Sequence, residues 1–137
     1  MPFQLKLATE QAICTLQYLA RNNKRTGTGE IAGAMNVSAN YLSATIAKLR
    51  DAGILETFGG CNGGCRLMKP IESISLYDVV IAMEQQIAIS RCMEKDARVC
   101  KGCVQPDCGV RAAFDVLQKG LIEQLKLTTI ADLVSQK

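Results

Sequence analysis

Cysteine is the residue type in this sequence that is best suited to chemistry. Seven of the 137 residues are cysteine and none is histidine. The cysteines form a group of four, a pair on either side of a glycine-rich turn, and one isolated residue, namely Cys92, Cys100, Cys103 and Cys108; Cys61 and Cys65; and Cys14. Because they are grouped rather than spread along the chain, they favour a metal or redox site over a disulfide framework.

The group of four is compatible with three kinds of chemistry. Thiolates are the soft ligands that iron–sulfur clusters need, so an iron–sulfur site is the first. Zinc is the second, because Cys100-x-x-Cys103 has the spacing of a zinc knuckle. A thiol or disulfide switch without metal is the third. The residues alone leave all three alternatives open.

The three remaining cysteines are expected to play two different roles. Cys61 and Cys65 flank the turn Asn62-Gly63-Gly64, and oxidation of the two thiols would reshape it, which makes them a candidate redox pair. The alternative is that they are two small residues tolerated at a hairpin tip. Cys14 lies on an apolar helix face, where a cysteine is expected to be buried and inert.

Several classes of protein are excluded by what the sequence lacks. Without histidine there is no His-based acid–base catalysis, no Ser-His-Asp triad and no zinc site with a His ligand. No obvious base accompanies a thiol nucleophile, so the chain is not expected to be an enzyme. No apolar run is long enough to span a membrane and residues 1–6 do not resemble a signal peptide, so we expect a cytoplasmic protein with no membrane partner.

The elements that must position these residues begin with helices and a hairpin. Apolar spacing predicts a helix over 8–20, and Thr28 and Ser38 can each cap a short helix, the second over 39–51. Two short, adjacent helices form the outline of a helix-turn-helix. Strand candidates on either side of the glycine-rich turn follow directly. This order predicts a mostly helical α+β fold, a winged helix with a two-stranded wing.

The second half of the sequence divides into a cysteine segment and a long helix. The capping box Ser75-x-x-Asp78 begins a helix that ends the first unit, 1–84, and the cysteine segment follows over 85–109. The third unit, 110–137, carries one apolar stripe on a long helix and then a last short helix, the stripe being Val110, Phe114, Leu117, Leu121 and Leu125. A stripe of this length favours a helix–helix contact in a homodimer, with intramolecular core as the alternative.

Positive charge is concentrated in the first half of the chain. Residues 1–70 carry eight Lys and Arg against four Asp and Glu, whereas the rest carries eight against nine. Such segregation is a modest indication of nucleic-acid binding.

Taken in order, these motifs resemble a family of bacterial winged-helix regulators that includes the iron–sulfur regulator IscR and the nitric-oxide sensor NsrR. The matching segments run nearly end to end, at 37–42, 49–55, 62–67, 74–80 and 128–133. The resemblance implies a dimeric transcription regulator, with repression as the expected action, that binds double-stranded operator DNA. It also implies a [2Fe–2S] or [4Fe–4S] cluster on three cysteines before the dimerisation helix, which would sense redox state, nitric oxide or iron–sulfur status.

Carried onto this chain, the resemblance assigns Cys92, Cys100 and Cys108 as cluster ligands, although their spacing is wider than is common in the family. Cys103 is favoured as the fourth ligand because it is nearest and softest, and Glu10 of the partner subunit is the alternative.

Two other functions stay open. One is a metal-free thiol-switch regulator, and the other is a zinc-stabilised or iron–sulfur-carrying protein that does not bind DNA.

The resemblance also divides the DNA contacts between the second short helix and the wing. Side chains near the start of that helix would face the major groove or adjacent phosphates, namely Ser38, Asn40, Tyr41, Ser43 and Thr45. Phosphate charge would come from Lys48, Arg50 and Arg66. Since Ser43 and Ala44 stand where family members often read bases with Glu and Gln, we expect a different operator preference.

Overall fold

The computed structural model describes residues 4–60, 63–90, 93 and 109–135. These contain six α-helices, a two-stranded antiparallel sheet and a 3₁₀ turn at Ile71–Ser73. In chain order the elements are α1 (Leu7–Asn22), α2 (Thr28–Met35), α3 (Ala39–Asp51), β1 (Leu55–Phe58), β2 (Gly64–Leu67), α4 (Leu76–Glu84), α5 (Gly109–Leu127) and α6 (Ile130–Ser135). The predicted winged helix is confirmed. No helix among the described residues is long and apolar enough to cross a membrane.

Local hydrogen bonds explain where the main helices begin. The Ser38 hydroxyl accepts the Tyr41 backbone N–H at the start of α3. Ser75 and Asp78 form the predicted capping box at the start of α4, with both hydrogen bonds at 3.1 Å. The prediction for α2 was wrong, because Gly27 occupies its N-cap and Thr28 is its first helical residue.

The core is built from the first four helices, the inner face of the wing and the last short helix, α6. Although the sequence groups α6 with the long helix, Ile130 at its start is fully buried in the cluster that α1 and α4 form. The Gln17 side-chain amide donates to the Leu133 carbonyl at 3.2 Å, and the backbones of Ser75 and Thr129 form a bridge. The C-terminus of the described chain therefore packs on the winged helix, whereas α5 has no buried residue.

The two faces of the wing hairpin differ sharply. Leu55 and Cys65 point into the core and are buried. The alternation of strand residues places Glu56, Phe58 and Arg66 on the opposite, outward face, where Glu56 pairs with Arg66 across the strands. Docking the wing on the helices thus leaves a charged surface on its outer side.

A backbone bridge joins the loop between α1 and α2 to the wing. Thr26 and Cys65 exchange two backbone hydrogen bonds of 2.9 Å each, so the loop lies beside β2 like a third strand. Gly64 makes this approach feasible, because a Cβ at its position would lie 2.5 Å from the Thr26 carbonyl oxygen. Its φ of +146° also belongs to the region that favours glycine.

We expect Gly64→Ala to destabilise the protein by about 2–3 kcal/mol, because it combines backbone strain with a clash at Thr26. Urea unfolding followed by circular dichroism measures the change. Gly33→Ala is the matched control, since Gly33 lies in α2 with nothing within 4 Å of an added Cβ. That change should be neutral or stabilise by up to about 1 kcal/mol. Equal unfolding midpoints for the two variants would contradict the proposed packing.

Candidate nucleic-acid interface and cysteine segment

The exposed polar surface of α3 lies at its N-terminal end. Ser38, Asn40, Tyr41 and Ser43 are all exposed, and the Ser43 hydroxyl donates to the Ala39 carbonyl at 2.9 Å. The opposite side of the helix is anchored by a buried apolar stripe, namely Leu42, Ile46 and Leu49. The helix is therefore held firmly while four polar side chains at its start remain accessible to a partner.

Thr45 does not belong to this surface. Its side chain is only 2% exposed and lies on the buried side of α3 with Leu42 and Ile46. A side chain in that position does not reach a base edge or a phosphate, so the structure removes Thr45 from the expected contacts. In the sequence, Thr45 follows Leu42 by three residues, and this spacing places both side chains on the same face of a helix. The polar residue type points instead to the exposed face.

The three cationic side chains assigned to phosphates differ in how far their charge is balanced. Lys48 is exposed and has no ion pair among the described residues. Arg50 lies 3.2 Å from the Asp51 carboxylate, and both side chains are largely exposed. Arg66 donates to Glu56 at 2.9 Å. Lys48 consequently offers the least compensated positive charge of the three.

Arg25 is a further cation at the wing that sequence reasoning missed. Its guanidinium carbon lies 4.7 Å from the centroid of the Phe58 ring, and that of Arg66 lies 5.3 Å from the same ring. Residues 25 and 58 are far apart in sequence, so no local motif signals their contact. The backbone bridge at Thr26 is what brings them together.

The proposed cluster ligands Cys92, Cys100, Cys103 and Cys108 lie outside the described residues, as does Cys61. The described residues before them are tied to the long helix, because the Ile89 backbone N–H donates to the Gln118 side-chain oxygen at 3.0 Å. The described chain resumes at Gly109, the first residue of α5. The cysteine segment therefore leaves and rejoins the described structure at the same helix.

The thiol and carboxylate groups of this chain are chemically suited to bind an iron–sulfur cluster. Four thiols sit in the segment that leads into α5, and Glu10 is an exposed carboxylate in the first turn of α1. Within the described ranges, no three Cys, Asp or Glu side chains are placed to share a metal ion. A metal site with three such ligands from this chain would therefore draw on residues outside the described ranges, and the cysteines of the segment between 91 and 108 are the largest group there.

The two described cysteines have opposite environments. Cys65 is fully buried in the wing, and loss of solvation raises its pKa from 9.0 to about 11. Its thiol is thus protonated at neutral pH, which does not favour a reactive member of the Cys61–Cys65 pair. Cys14 is exposed, so the expectation that it would be buried was wrong.

We expect iodoacetamide at pH 8 to label Cys14 of the folded protein and to leave Cys65 unmodified. With a pKa of about 11, only about one Cys65 thiol in a thousand is deprotonated at pH 8, and the thiolate is the reactive form. That fraction rises with pH and reaches one half near the pKa. Peptide mass spectrometry measures both sites, with labelling in urea as the control. Equal labelling rates in the folded protein would restore Cys65 as a redox candidate.

Comparison with known proteins decides the family. A model of the Rrf2 family, described as iron-dependent transcriptional regulators, matches residues 5–136. The chain belongs to the Rrf2 family. The predicted relationship to IscR-like and NsrR-like regulators is confirmed. This Rrf2 protein is a transcription regulator with a DNA-binding winged helix, and the prediction that it is not an enzyme is also confirmed.

Individual relatives cover almost the whole of this Rrf2 protein. Protein aau3 of Rhizobium meliloti is 35% identical over 135 residues, which are 98% of this chain and 86% of aau3. The regulator NsrR of Shouchella clausii is 28% identical over 133 residues, covering 96% of this chain and 88% of NsrR. Both alignments span nearly the whole of this chain and more than four fifths of each relative.

Solved structures with the same fold are also found. CymR of B. subtilis, described as its global cysteine regulator, has a TM-score of 0.80 at 22% identity and covers 99% of both chains. IscR of T. potens has a TM-score of 0.74 at 22% identity, covering 98% of this chain and 88% of IscR. At these identities the likeness supports the fold of this Rrf2 protein.

Proposed function

We propose that this Rrf2 protein is a homodimeric repressor whose operator affinity depends on an iron–sulfur cluster held by its cysteine segment. The observation that carries the DNA-binding part is the exposed polar start of α3. A helix anchored by buried leucines, with Ser38, Asn40, Tyr41 and Ser43 exposed at its N-terminal end, suits the major groove. Lys48 on the same helix supplies charge to a phosphate.

The homodimer is supported by the apolar surface of α5. Val110, Leu117 and Leu121 share one face of the helix and are exposed by 38–62%, and the helix buries none of its residues in the described part of the chain. A contiguous apolar surface of this kind marks an interaction site. Two copies of one helix face pair readily by two-fold symmetry, and a two-fold dimer suits an operator with two half-sites.

The sensing part rests on donor chemistry and on the position of the cysteine segment. Cys92, Cys100 and Cys108 would be the ligands, with Cys103 or Glu10 of the partner subunit as the fourth. A bound cluster would supply sensitivity to oxidants, nitric oxide or iron–sulfur status. Because Ile89 before the segment is hydrogen-bonded to α5 and Gly109 after it begins α5, a cluster bound between them would act on the proposed dimer helix.

DNA binding is tested by fluorescence anisotropy with a duplex from the protein's own promoter region and with an unrelated duplex. Lys48→Ala should weaken binding to both duplexes, and its plot of log affinity against log salt should be flatter by about one unit. Asn40→Ala should instead change which duplex is preferred, because a base contact is worth about 1–3 kcal/mol of discrimination.

Lys126→Ala is the control for this experiment, since Lys126 stacks on the Tyr77 ring outside the proposed DNA surface. It should leave both the affinity and the salt slope unchanged. Arg66→Ala and Ser43→Ala extend the test to the wing and to a second residue of α3. If all four variants of the proposed surface bound as the wild type does, α3 and the wing would not be the DNA-reading elements.

A further inference from the structure

We propose that the loop between α1 and α2 forms, together with the wing, a separate binding site for a phosphate of the operator backbone. Arg25 is the contacting residue and Phe58 is the positioning residue. The inference rests on the proposed DNA-binding function and adds to it a contact made outside the helix-turn-helix. Three features of the described residues support it: a shared aromatic platform, a cationic cleft and a rigid loop.

The platform is the Phe58 ring, which holds two guanidinium groups. Arg25 and Arg66 lie 4.7 and 5.3 Å from its centroid. Each guanidinium gains from the electron-rich face of the ring, and this attraction offsets the repulsion of two like charges close together. The Glu56 carboxylate, 2.9 Å from Arg66, balances one of the two charges. Arg25 has no ion pair among the described residues, so one positive charge is left for a ligand.

A cleft of about 260 Å³ lies next to these guanidinium groups. Its lining consists of Leu19, Asn23, Lys24, Arg25, Arg66 and Leu67. Three of these six residues are cations and none is a carboxylate. The planar guanidinium group donates hydrogen bonds in a fork that matches phosphate oxygens. The charge and donor geometry of the cleft therefore suit an anion of the phosphodiester type.

The loop that carries Arg25 is held in place before any ligand binds. Asn23 adopts a left-handed conformation, with φ of 50°, and its N–H donates to the Leu19 carbonyl at 2.8 Å. On the other side of Arg25, the two hydrogen bonds between Thr26 and Cys65 fix the loop to β2. A site positioned in advance pays little ordering entropy on binding.

The position of the cleft favours DNA backbone over a free anion. Its lining includes Arg66, which the proposed function already assigns to a phosphate. Contacts of this type fix the register and orientation of a protein on the duplex and carry no sequence information. Arg25 would thus strengthen binding to any duplex and help to align the wing with it.

The test compares Arg25→Gln with the wild type on the promoter duplex and on an unrelated duplex over a range of salt concentrations. Affinity for both duplexes should fall by the same factor, about five- to tenfold, and the salt slope should decrease by about one. Lys126→Gln is the matched control, because Lys126 also lies 4.7 Å from an aromatic centroid, that of Tyr77. It should leave both quantities unchanged.

The role of Phe58 is tested by a pair of variants that keep both arginines. Phe58→Leu removes the ring and should weaken binding to both duplexes. Phe58→Tyr keeps the ring and should bind both duplexes with the wild-type affinity. Circular dichroism should show that all these variants are folded.

The outcomes separate this inference from the proposed function. A wild-type protein that binds neither duplex would overturn the proposed function itself. A wild type that binds, with an Arg25→Gln variant of unchanged affinity and salt slope, would overturn only the site at Arg25. A loss confined to the promoter duplex would also overturn it, since a phosphate contact does not discriminate between sequences.

Discussion

Leu117→Glu should make the proposed homodimer monomeric and lower operator affinity at least a hundredfold. Leu117 is 62% exposed, and Leu121, one turn later on α5, is 38% exposed. In a two-fold interface each copy would place a new carboxylate among the leucines of the other, and an unpaired charge in such a setting costs several kcal/mol. A monomer then engages one half-site, and loss of the second contact removes an avidity of about 10²–10⁴.

Light scattering after gel filtration gives the oligomeric state, and anisotropy with the promoter duplex gives the affinity. Lys119→Glu provides the control, because Lys119 is 74% exposed and lies about 200° around the helix from Leu117. That change replaces a solvent-exposed ion pair with Asp115 by two like charges on the surface, so its effect on the fold should be small. A Leu117→Glu variant that remained dimeric would assign the apolar face of α5 to a role other than dimerisation.

The elements that could be predicted are those specified by neighbouring residues. The start of α3 follows from Ser38, and the start of α4 follows from the reciprocal bonds of Ser75 and Asp78. The left-handed position of Gly53, with φ of +80°, marks the end of α3. Each of these signals acts within a few residues, so periodicity and capping rules are sufficient to place the helices.

Contacts between distant residues were the part that could not be predicted. The bridge between Thr26 and Cys65 and the stack of Arg25 on Phe58 join parts of the chain about 30–40 residues apart. No spacing rule connects them, so Arg25 was absent from the expected site. The burial of Ile130 beside α1 is of the same kind, because the sequence of α6 does not indicate which surface it covers.

Thr45 and Cys14 show a different source of error. Thr45 is polar, which suggests exposure, but its position three residues after Leu42 places it on the buried side of α3. For Cys14 the neighbouring apolar residues suggest burial, yet it is two residues from both Ala12 and Leu16, about 200° around α1 from the buried stripe, and is exposed. The angular position of a residue around the helix therefore predicts its burial better than its own polarity or the apolar character of its sequence neighbours.

Replacing Cys92, Cys100 or Cys108 singly with Ala should abolish the visible absorbance of protein purified without oxygen. Each change removes a thiolate that would bind iron directly, and the remaining donors do not complete the ligand set. Iron and sulfide analysis measures the same loss independently of the spectrum. Cys14→Ala is the matched control, because Cys14 is exposed on α1 and far in sequence from the segment. It should keep the full absorbance.

The fourth ligand is decided by two further variants. Loss of absorbance in Cys103→Ala with retention in Glu10→Ala would assign Cys103, and the opposite result would assign Glu10 of the partner subunit. Full absorbance in any one of the first three variants would contradict the ligand assignment. A wild-type protein without iron or sulfide would instead favour the zinc site or the metal-free thiol switch.

The same preparations test whether the cysteine segment controls DNA binding. A cluster would be bound between Ile89, which is hydrogen-bonded to α5, and Gly109, which begins α5, and α5 is the helix proposed to set the spacing of the two α3 helices in the proposed dimer. We therefore expect cluster-loaded and cluster-free protein to differ in operator affinity by about 1–3 kcal/mol, with the loaded form binding more tightly. Anisotropy titrations at one salt concentration, with all thiols kept reduced, measure the difference. Equal affinities would make the segment a structural part of the protein and remove sensing from the proposed function.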